Sequence, residues 1–315
     1  MSTLRKSLDD YLKVRRALGF KLEATEWCLR GFVDLLEAEG AKHITTELAL
    51  RWARRPANGD PFTWAQRLSR IRLFAAWYRA RDPHTEVPDA GLLAASVRRK
   101  PPFIFSEKQI ADLVREAAKL HSHRGVRGHT FSTMFGLLAV AGLRISEAVA
   151  LDRDDVDLHQ GQLTIRDTKF GKTRLVPLSE STTTVLHRYA KERDRVLPAV
   201  TTSAFFVSES GRRVTDWAAR YNFAKVSRST GLRAPAGGYR HGHGPRVHDL
   251  RHSFAARTMI VWYRAGVDVE RELPKLSAYL GHAHINDTYW YLEAVPELLQ
   301  LATERVTGQR AGGRR

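Results

Sequence analysis

A chain of 315 residues is long enough for a sizeable core and two domains, and its 43% apolar and 27% charged residues are ordinary for a folded soluble protein. The net charge of +17 and pI near 10.3 are not ordinary, and they call for a polyanionic partner, either nucleic acid or an acidic membrane surface. No apolar run is long enough to span a bilayer and the basic residues are spread along the whole chain, which excludes a membrane span and favours nucleic acid. The one cysteine, Cys28, cannot close an intrachain disulfide and reads as a buried small hydrophobe in a helix. The first ten residues lack the apolar stretch of a signal peptide, so a reducing, cytoplasmic and nucleoid-associated location is expected.

Residues 4–80 read as a run of helices. Leu4, Leu8, Tyr11, Leu12, Arg15 and Leu18 keep helical spacing up to Gly19, and Trp27, Phe32, Leu35 and Leu36 repeat it up to Gly40. A third helix opens at Thr45-Thr46-Glu47. A fourth, from about Pro61 to Ala80, interleaves Arg67, Arg70 and Arg72 with Trp64, Trp77 and Tyr78, a pattern suited to lying on phosphates while Trp77 packs the bundle. Periodicity then breaks around Pro83, Pro88, Pro101 and Pro102, and the basic cluster Arg98-Arg99-Lys100 lies in this linker, where it can follow a phosphate backbone.

Ser106 caps the next helix, a loop carries His121, His123, Arg124 and Arg127, and an apolar helix from Phe131 to Ala141 stops at Gly142. Past Gly142-Leu143-Arg144-Ile145-Ser146-Glu147 the period becomes strand-like. Leu163–Arg166 and Thr173–Leu178, joined by a turn over Lys169, Phe170, Gly171 and Lys172, predict a hairpin. A helix over 181–197, a short strand at Phe205–Val207 and a helix over 216–229 follow. The loop 231–245 delivers the chain to His248-Asp249-Leu250-Arg251-His252, where helical spacing puts His248, Arg251 and His252 on one face and Leu250, Phe254 and Val261 on another. His241, His243, His248 and His252 match no common zinc spacing, so no metal is expected.

The remaining elements are a helix over 269–280, the stretch from Leu280-Gly281-His282 to Thr288-Tyr289-Trp290-Tyr291-Leu292, a helix over 296–307 and a basic tail. On a helix Ile285, Tyr289 and Leu292 form one apolar stripe and Tyr291 projects roughly 100° from its centre. Tyr289 therefore reads as packing and Tyr291 as the free hydroxyl.

In order along the chain, the chemistry-bearing groups are Arg144, Lys169, His248, Arg251, His282 and Tyr291. This set resembles the tyrosine recombinase (phage integrase) family, whose boxes match Gly142–Glu147, His248–His252 and Leu280–His282, with the family's nucleophile nine residues beyond the last histidine, at Tyr291. The Thr-Tyr-Trp-Tyr-Leu wording is similar to recombinases carried by transposons. The resemblance implies a mainly α fold with a small antiparallel β-sheet, divided into a helical, SAM-like DNA-binding domain over 1–97, a linker over 98–105, and a catalytic domain over 106–315 that ends in a C-terminal helix and basic tail.

It also implies roles. Arg144 and Arg251 would neutralise the scissile phosphate, because guanidinium forks match its oxygens. His282 would donate a hydrogen bond to the same oxygens, and His248 would accept or relay the tyrosine proton. Lys169, with Lys172 as the rival at the same turn, would protonate the leaving 5′-hydroxyl, and Glu147 would orient Arg144 or His248. Arg67, Arg70, Arg72, Arg98, Arg99, Lys100 and Lys172 are the expected DNA contacts.

The product would be a 3′-phosphotyrosyl linkage, with no cofactor required. The partners would be double-stranded DNA and further subunits, in a homotetramer on two sites, with or without sister recombinases, and with the C-terminal helix packing into a neighbour. A type IB topoisomerase-like enzyme and a DNA-binding accessory protein acting beside sister recombinases are the alternative functions.

Overall fold

Leu4, Leu8, Tyr11 and Leu12 recur at three- and four-residue steps and line the buried side of α1 (Thr3–Ala17). They meet Leu29, Phe32 and Leu36 of α2 (Glu23–Ala38) and Ile71, Phe74 and Ala75 of α4 (Pro61–Tyr78), with α3 (Thr46–Ala53) closing the bundle. Each fully buried leucine or phenylalanine here contributes about 1.5–3 kcal/mol of burial. Thr45 caps α3 by accepting the Leu48 N–H. Trp77 packs on Tyr11, and Cys28 is buried. Trp27 departs from its expected place in the apolar stripe. The buried face of α2 is taken by Cys28, Leu29, Phe32 and Val33, so Trp27 is 67% exposed and the Arg67 guanidinium stands 5.8 Å from its ring.

These helices belong to the first of two compact units, Met1–Lys100 and Pro101–Arg315. The computed structural model describes residues 3–55, 57, 59–93, 101–166, 173–199, 202–234, 244–282 and 284–312. Lys169 and Lys172 at the hairpin turn, the cluster Arg98-Arg99-Lys100, and His241 and His243 lie outside these described residues.

In the second unit Ser106 caps α5 (Glu107–Ala118) reciprocally with Gln109. Just before it, Phe105 is buried and donates its backbone N–H to Ser253 Oγ at 2.8 Å. The central helix α6 (Val126–Ala141) buries Met134, Phe135, Leu137 and Leu138; it starts earlier than Phe131 and takes Arg127 out of the loop. After α7 (Ile145–Ala150) comes an antiparallel sheet, β1 (Val156–Asp157), β2 (Gln162–Ile165) and β3 (Arg174–Pro177), in sequential order with Leu163 opposite Val176. β1 is too short to show a period in the sequence. The strand expected at Phe205–Val207 forms only an isolated bridge, Val207 with Arg213.

Helices α8 (Glu180–Val196) and α9 (Asp216–Ser229) flank the core. Helices α10 (His248–Arg264), α11 (Val269–Leu280), α12 (Asn286–Ala294) and α13 (Pro296–Gly312) enclose a second cluster around Met259, Leu273 and Leu298. Val261, expected on the apolar face of α10, is exposed. The C-terminal helix α13 buries Leu298 in this cluster, and Arg305 donates to the Val267 carbonyl. The architecture is mainly α with one small antiparallel sheet. Among the described residues no helix is long and apolar enough to cross a membrane.

Candidate active site

Two helix ends build the site. The last carbonyls of a helix have no intrahelical partner and carry the negative end of its dipole, so they attract cationic donors. At the end of α11 three successive carbonyls each hold a different arginine: Tyr279 accepts from Arg174 Nε at 2.8 Å, Leu280 from Arg251 Nη2 at 2.6 Å, and Gly281 from Arg144 Nη2 at 2.7 Å. At the end of α6 the Gly142 carbonyl accepts from Arg251 Nη1 at 2.8 Å. Both turns need glycine. Gly142 has φ +60° and a Cβ there would fall 2.4 Å from the Phe254 ring; Gly281 has φ +65° and its Cβ would fall 2.9 Å from Arg174 Nη1.

Glu147, three residues after Arg144, closes the cluster. One carboxylate oxygen accepts from Arg144 Nη1 at 2.8 Å and Arg174 Nη1 at 3.0 Å, the other from the Arg144 backbone N–H at 2.9 Å and Arg174 Nη2 at 2.8 Å. Burial by itself would raise this carboxyl, but the hydrogen bonds from Arg174 and Arg144 outweigh it and hold the group down at about 2. Arg251 is 1% exposed, and burial beside Arg144 lowers it to about 10, which leaves it charged at neutral pH. Two guanidiniums thus share one carboxylate while Arg251 is held by carbonyls alone, and the excess positive charge is fixed in place for an anion. Arg174 was not singled out from sequence, yet it lies two residues before the buried Val176 on β3, an arginine in phase with the core side of a strand.

His282 follows Gly281, and its Nδ1 is 2.7 Å from the buried Thr288 hydroxyl. When that hydroxyl donates, Nε2 carries the proton and can donate onward. Burial, then the nearby Arg251 and Arg144, push His282 down to about 4; burial, then His252 and Arg251, do the same to His248. Both imidazoles are therefore neutral at pH 7. The unfolded chain protonates these histidines near 6.5, so their neutral burial makes stability fall as pH drops from 6.5 towards 4, by about 2–3 kcal/mol each. Glu147 adds a second loss as pH falls from 4.5 towards 2. Thermal unfolding midpoints measured from pH 8 to pH 4 are expected to fall steadily below 6.5, and the His248→Gln/His282→Gln variant should flatten that slope. An unchanged slope in the variant would contradict the burial of neutral imidazoles.

Tyr291 lies on α12, but its surroundings differ from the expectation. Thr288, Tyr291 and Val295 form the buried face, while Tyr289 is 40% exposed and Ile285 also faces solvent. Apolar periodicity selected the wrong stripe because the buried face is polar and held by hydrogen bonds. Tyr291 is 2% exposed, and its hydroxyl is 2.8 Å from His252 Nδ1. His252 stands between Tyr291 and His248, whose ring is 4.5 Å from its own. Arg144, Arg251, His248, His282, Glu147 and Tyr291 thus converge through α7, α10, α11 and α12, joined by Arg174 and His252. Among the described residues no group of three His, Cys, Asp or Glu side chains is placed to hold a metal ion.

Residues 104–297 match the phage integrase family. The putative integrase/recombinase y4rB of Sinorhizobium fredii strain NGR234 is 44% identical over 310 residues, covering 97% of this chain and 98% of that protein. Tyrosine recombinase XerD of Ralstonia nicotianae strain GMI1000 is 27% identical over 303 residues, covering 95% and 85%. Among solved structures, the Tn1549 transposon integrase in complex with transposon right end DNA shares the fold with a TM-score of 0.63 at 16% identity, covering 96% of this chain and 99% of that one. The chain belongs to the phage integrase family and is a tyrosine-type site-specific recombinase, an enzyme that breaks and rejoins DNA.

Proposed function

We propose that Tyr291 is the nucleophile of this recombinase, attacking a scissile phosphate to form a 3′-phosphotyrosyl linkage and release a 5′-hydroxyl. The observation that carries this reading is the set of three guanidiniums hung on successive carbonyls at the end of α11, with one carboxylate among them and the Tyr291 hydroxyl on the next helix. A phosphodiester under attack gains charge on its non-bridging oxygens, and Arg144 and Arg251 answer it with donors already fixed by the fold. His282 adds an Nε2–H donor. His248, neutral at pH 7, assists proton movement, and Lys169 of the hairpin turn, with Lys172 as its rival, protonates the leaving 5′-oxygen.

Double-stranded DNA is the partner that the charge of +17 suits, and the Tn1549 integrase, similar in fold, is seen on transposon DNA. Arg67, Arg70 and Arg72 of α4 and the cluster Arg98-Arg99-Lys100 supply phosphate contacts. Exchange between two duplexes opens four strands, one per tyrosine, so the working assembly is a tetramer on two sites, built of this chain alone or shared with sister recombinases. The domains that follow are 1–97 for DNA binding, a linker over 98–105 and 106–315 for catalysis.

The test uses a nicked suicide duplex carrying a site first selected from a random duplex pool by binding to the protein. The wild type and Tyr289→Phe should form a covalent adduct on a denaturing gel, and Tyr291→Phe should lose it entirely. Loss in Tyr289→Phe with retention in Tyr291→Phe would overturn the assignment. Relaxation of supercoiled plasmid lacking the site would move the reading to a topoisomerase.

A further inference from the structure

His252 is in direct contact with the Tyr291 hydroxyl, the atom assigned to attack. Its Nδ1 is 2.8 Å from the Tyr291 hydroxyl, and the two rings meet edge-on with centroids 5.4 Å apart. Trp290 covers the same imidazole, 5.5 Å centroid to centroid and also edge-on. On the far side of the ring, Nε2 faces Asp249 Oδ1 at 4.0 Å, and Asp249 is itself buried and held by the Arg246 backbone N–H at 2.6 Å. The imidazole thus has the tyrosine hydroxyl in hydrogen-bond contact on one side and, on the other, a carboxylate 4.0 Å away that Arg246 Nη2 also approaches at 3.5 Å, so a base touches a weak nucleophile with a charged group behind it.

The carboxylate favours the tautomer with the proton on Nε2, which leaves the Nδ1 lone pair directed at the tyrosine O–H. The other groups near the pair are His248, whose ring contacts His252, and Arg251, whose charge favours a tyrosinate. A phenol ionises near pH 10, so attack at neutral pH requires a proton acceptor in contact with it.

We propose that His252 is a catalytic residue of the recombinase: it holds the Tyr291 hydroxyl and accepts its proton during cleavage, with Asp249 as the positioning residue that sets its tautomer. The inference rests on Tyr291 being the nucleophile. In the cleavage step the bond from Tyr291 oxygen to phosphorus forms, the bond from phosphorus to the 5′-oxygen breaks, the phenolic proton passes to His252 Nδ1, and the general acid of the hairpin turn protonates the 5′-oxygen. In religation a 5′-hydroxyl gives its proton back to the conjugate base of that general acid and attacks phosphorus, the bond from phosphorus to the Tyr291 oxygen breaks, and the imidazolium returns its proton to the phenolate. The site then holds three histidines with different duties, His252 on the nucleophile, His248 against its ring and His282 in the arginine cluster.

His252→Asn is the informative variant, because the asparagine amide can stand where Nδ1 stands and still hold the hydroxyl, but it does not titrate. Single-turnover adduct formation on the nicked suicide duplex, followed from pH 5.5 to pH 9, should fall about 10²–10⁴-fold at pH 7 in His252→Asn. The variant's rate should climb through pH 9 where the wild type levels off. Asp249→Asn should retain part of the rate and shift the wild-type profile rather than abolish it. Gel-shift affinity for the intact duplex and the thermal unfolding midpoint, measured in parallel, separate chemistry from folding. A His252→Asn rate within threefold of wild type, with the wild-type pH profile, would overturn the proposal. Tyr291→Phe distinguishes the two levels: loss of adduct in Tyr291→Phe with full activity in His252→Asn sinks only the role of His252, whereas adduct retained in Tyr291→Phe sinks the nucleophile assignment beneath it.

Discussion

Arg251→Lys is expected to lower adduct formation by about 10²–10³-fold while leaving gel-shift affinity for the DNA site nearly unchanged. Arg251 spends one Nη on the Gly142 carbonyl and the other on Leu280, two helix ends far apart in sequence, and it is 1% exposed. The planar fork lets one side chain join both helix ends and still present N–H edges to a phosphate. A lysine ammonium offers one point of charge and cannot span both carbonyls, so it must leave one of them unpaired, at about 1–3 kcal/mol. Urea unfolding at pH 7 should therefore show a lower midpoint for Arg251→Lys and a still lower one for Arg251→Ala. Single-turnover cleavage at saturating protein reads the chemical effect separately. A lysine variant that cleaves within threefold of wild type would show that the fork is not what meets the phosphate.

Arg174→Ala is expected to produce the largest loss of stability of any single change at the site, about 3–5 kcal/mol by urea unfolding. Its side chain is only 13% exposed and it faces Glu147 at 7%. Removing it strips two of the hydrogen bonds from a buried carboxylate and leaves the Tyr279 carbonyl without its donor. Glu147, no longer held near 2, would then titrate closer to the ordinary carboxylate range, so the loss of stability that it adds between pH 4.5 and 2 in the wild type should shrink in Arg174→Ala. In a double-mutant cycle with Glu147→Gln the coupling should be about 1–3 kcal/mol. A cost below about 1 kcal/mol would mean that Glu147 is satisfied by Arg144 alone.

Much of the helical frame was legible because it depends on local chemistry. Leu4, Leu8 and Leu12 mark the buried side of α1, Ser106 and Gln109 form a reciprocal cap, and Gly142 and Gly281 end two helices at positions where a side chain has no room. The hairpin was visible in the alternation around Leu163 and Val176. The two-residue β1 was not, because a pairing that short shows no period, and the strand expected at Phe205–Val207 shrank to the bridge of Val207 with Arg213. Trp27 and Tyr289 misled for a common reason: apolar size marks a candidate for burial, but neighbouring helices decide which stripe is covered.

By itself the sequence determined the composition of the site: a strongly basic chain carrying Arg144, His248, Arg251, His282 and Tyr291 in an order and spacing that name the chemistry. Only the tertiary structure decided how those groups are held. The carbonyls of Tyr279, Leu280 and Gly281 become three arginine anchors because α11 stops there and leaves them unpaired, an opportunity that no spacing rule displays. The same holds for Arg174 reaching Glu147 from a strand and for His252 meeting Tyr291 across two helices. Hydrogen bonds between residues tens of positions apart depend on packing, and packing is settled by the fold as a whole.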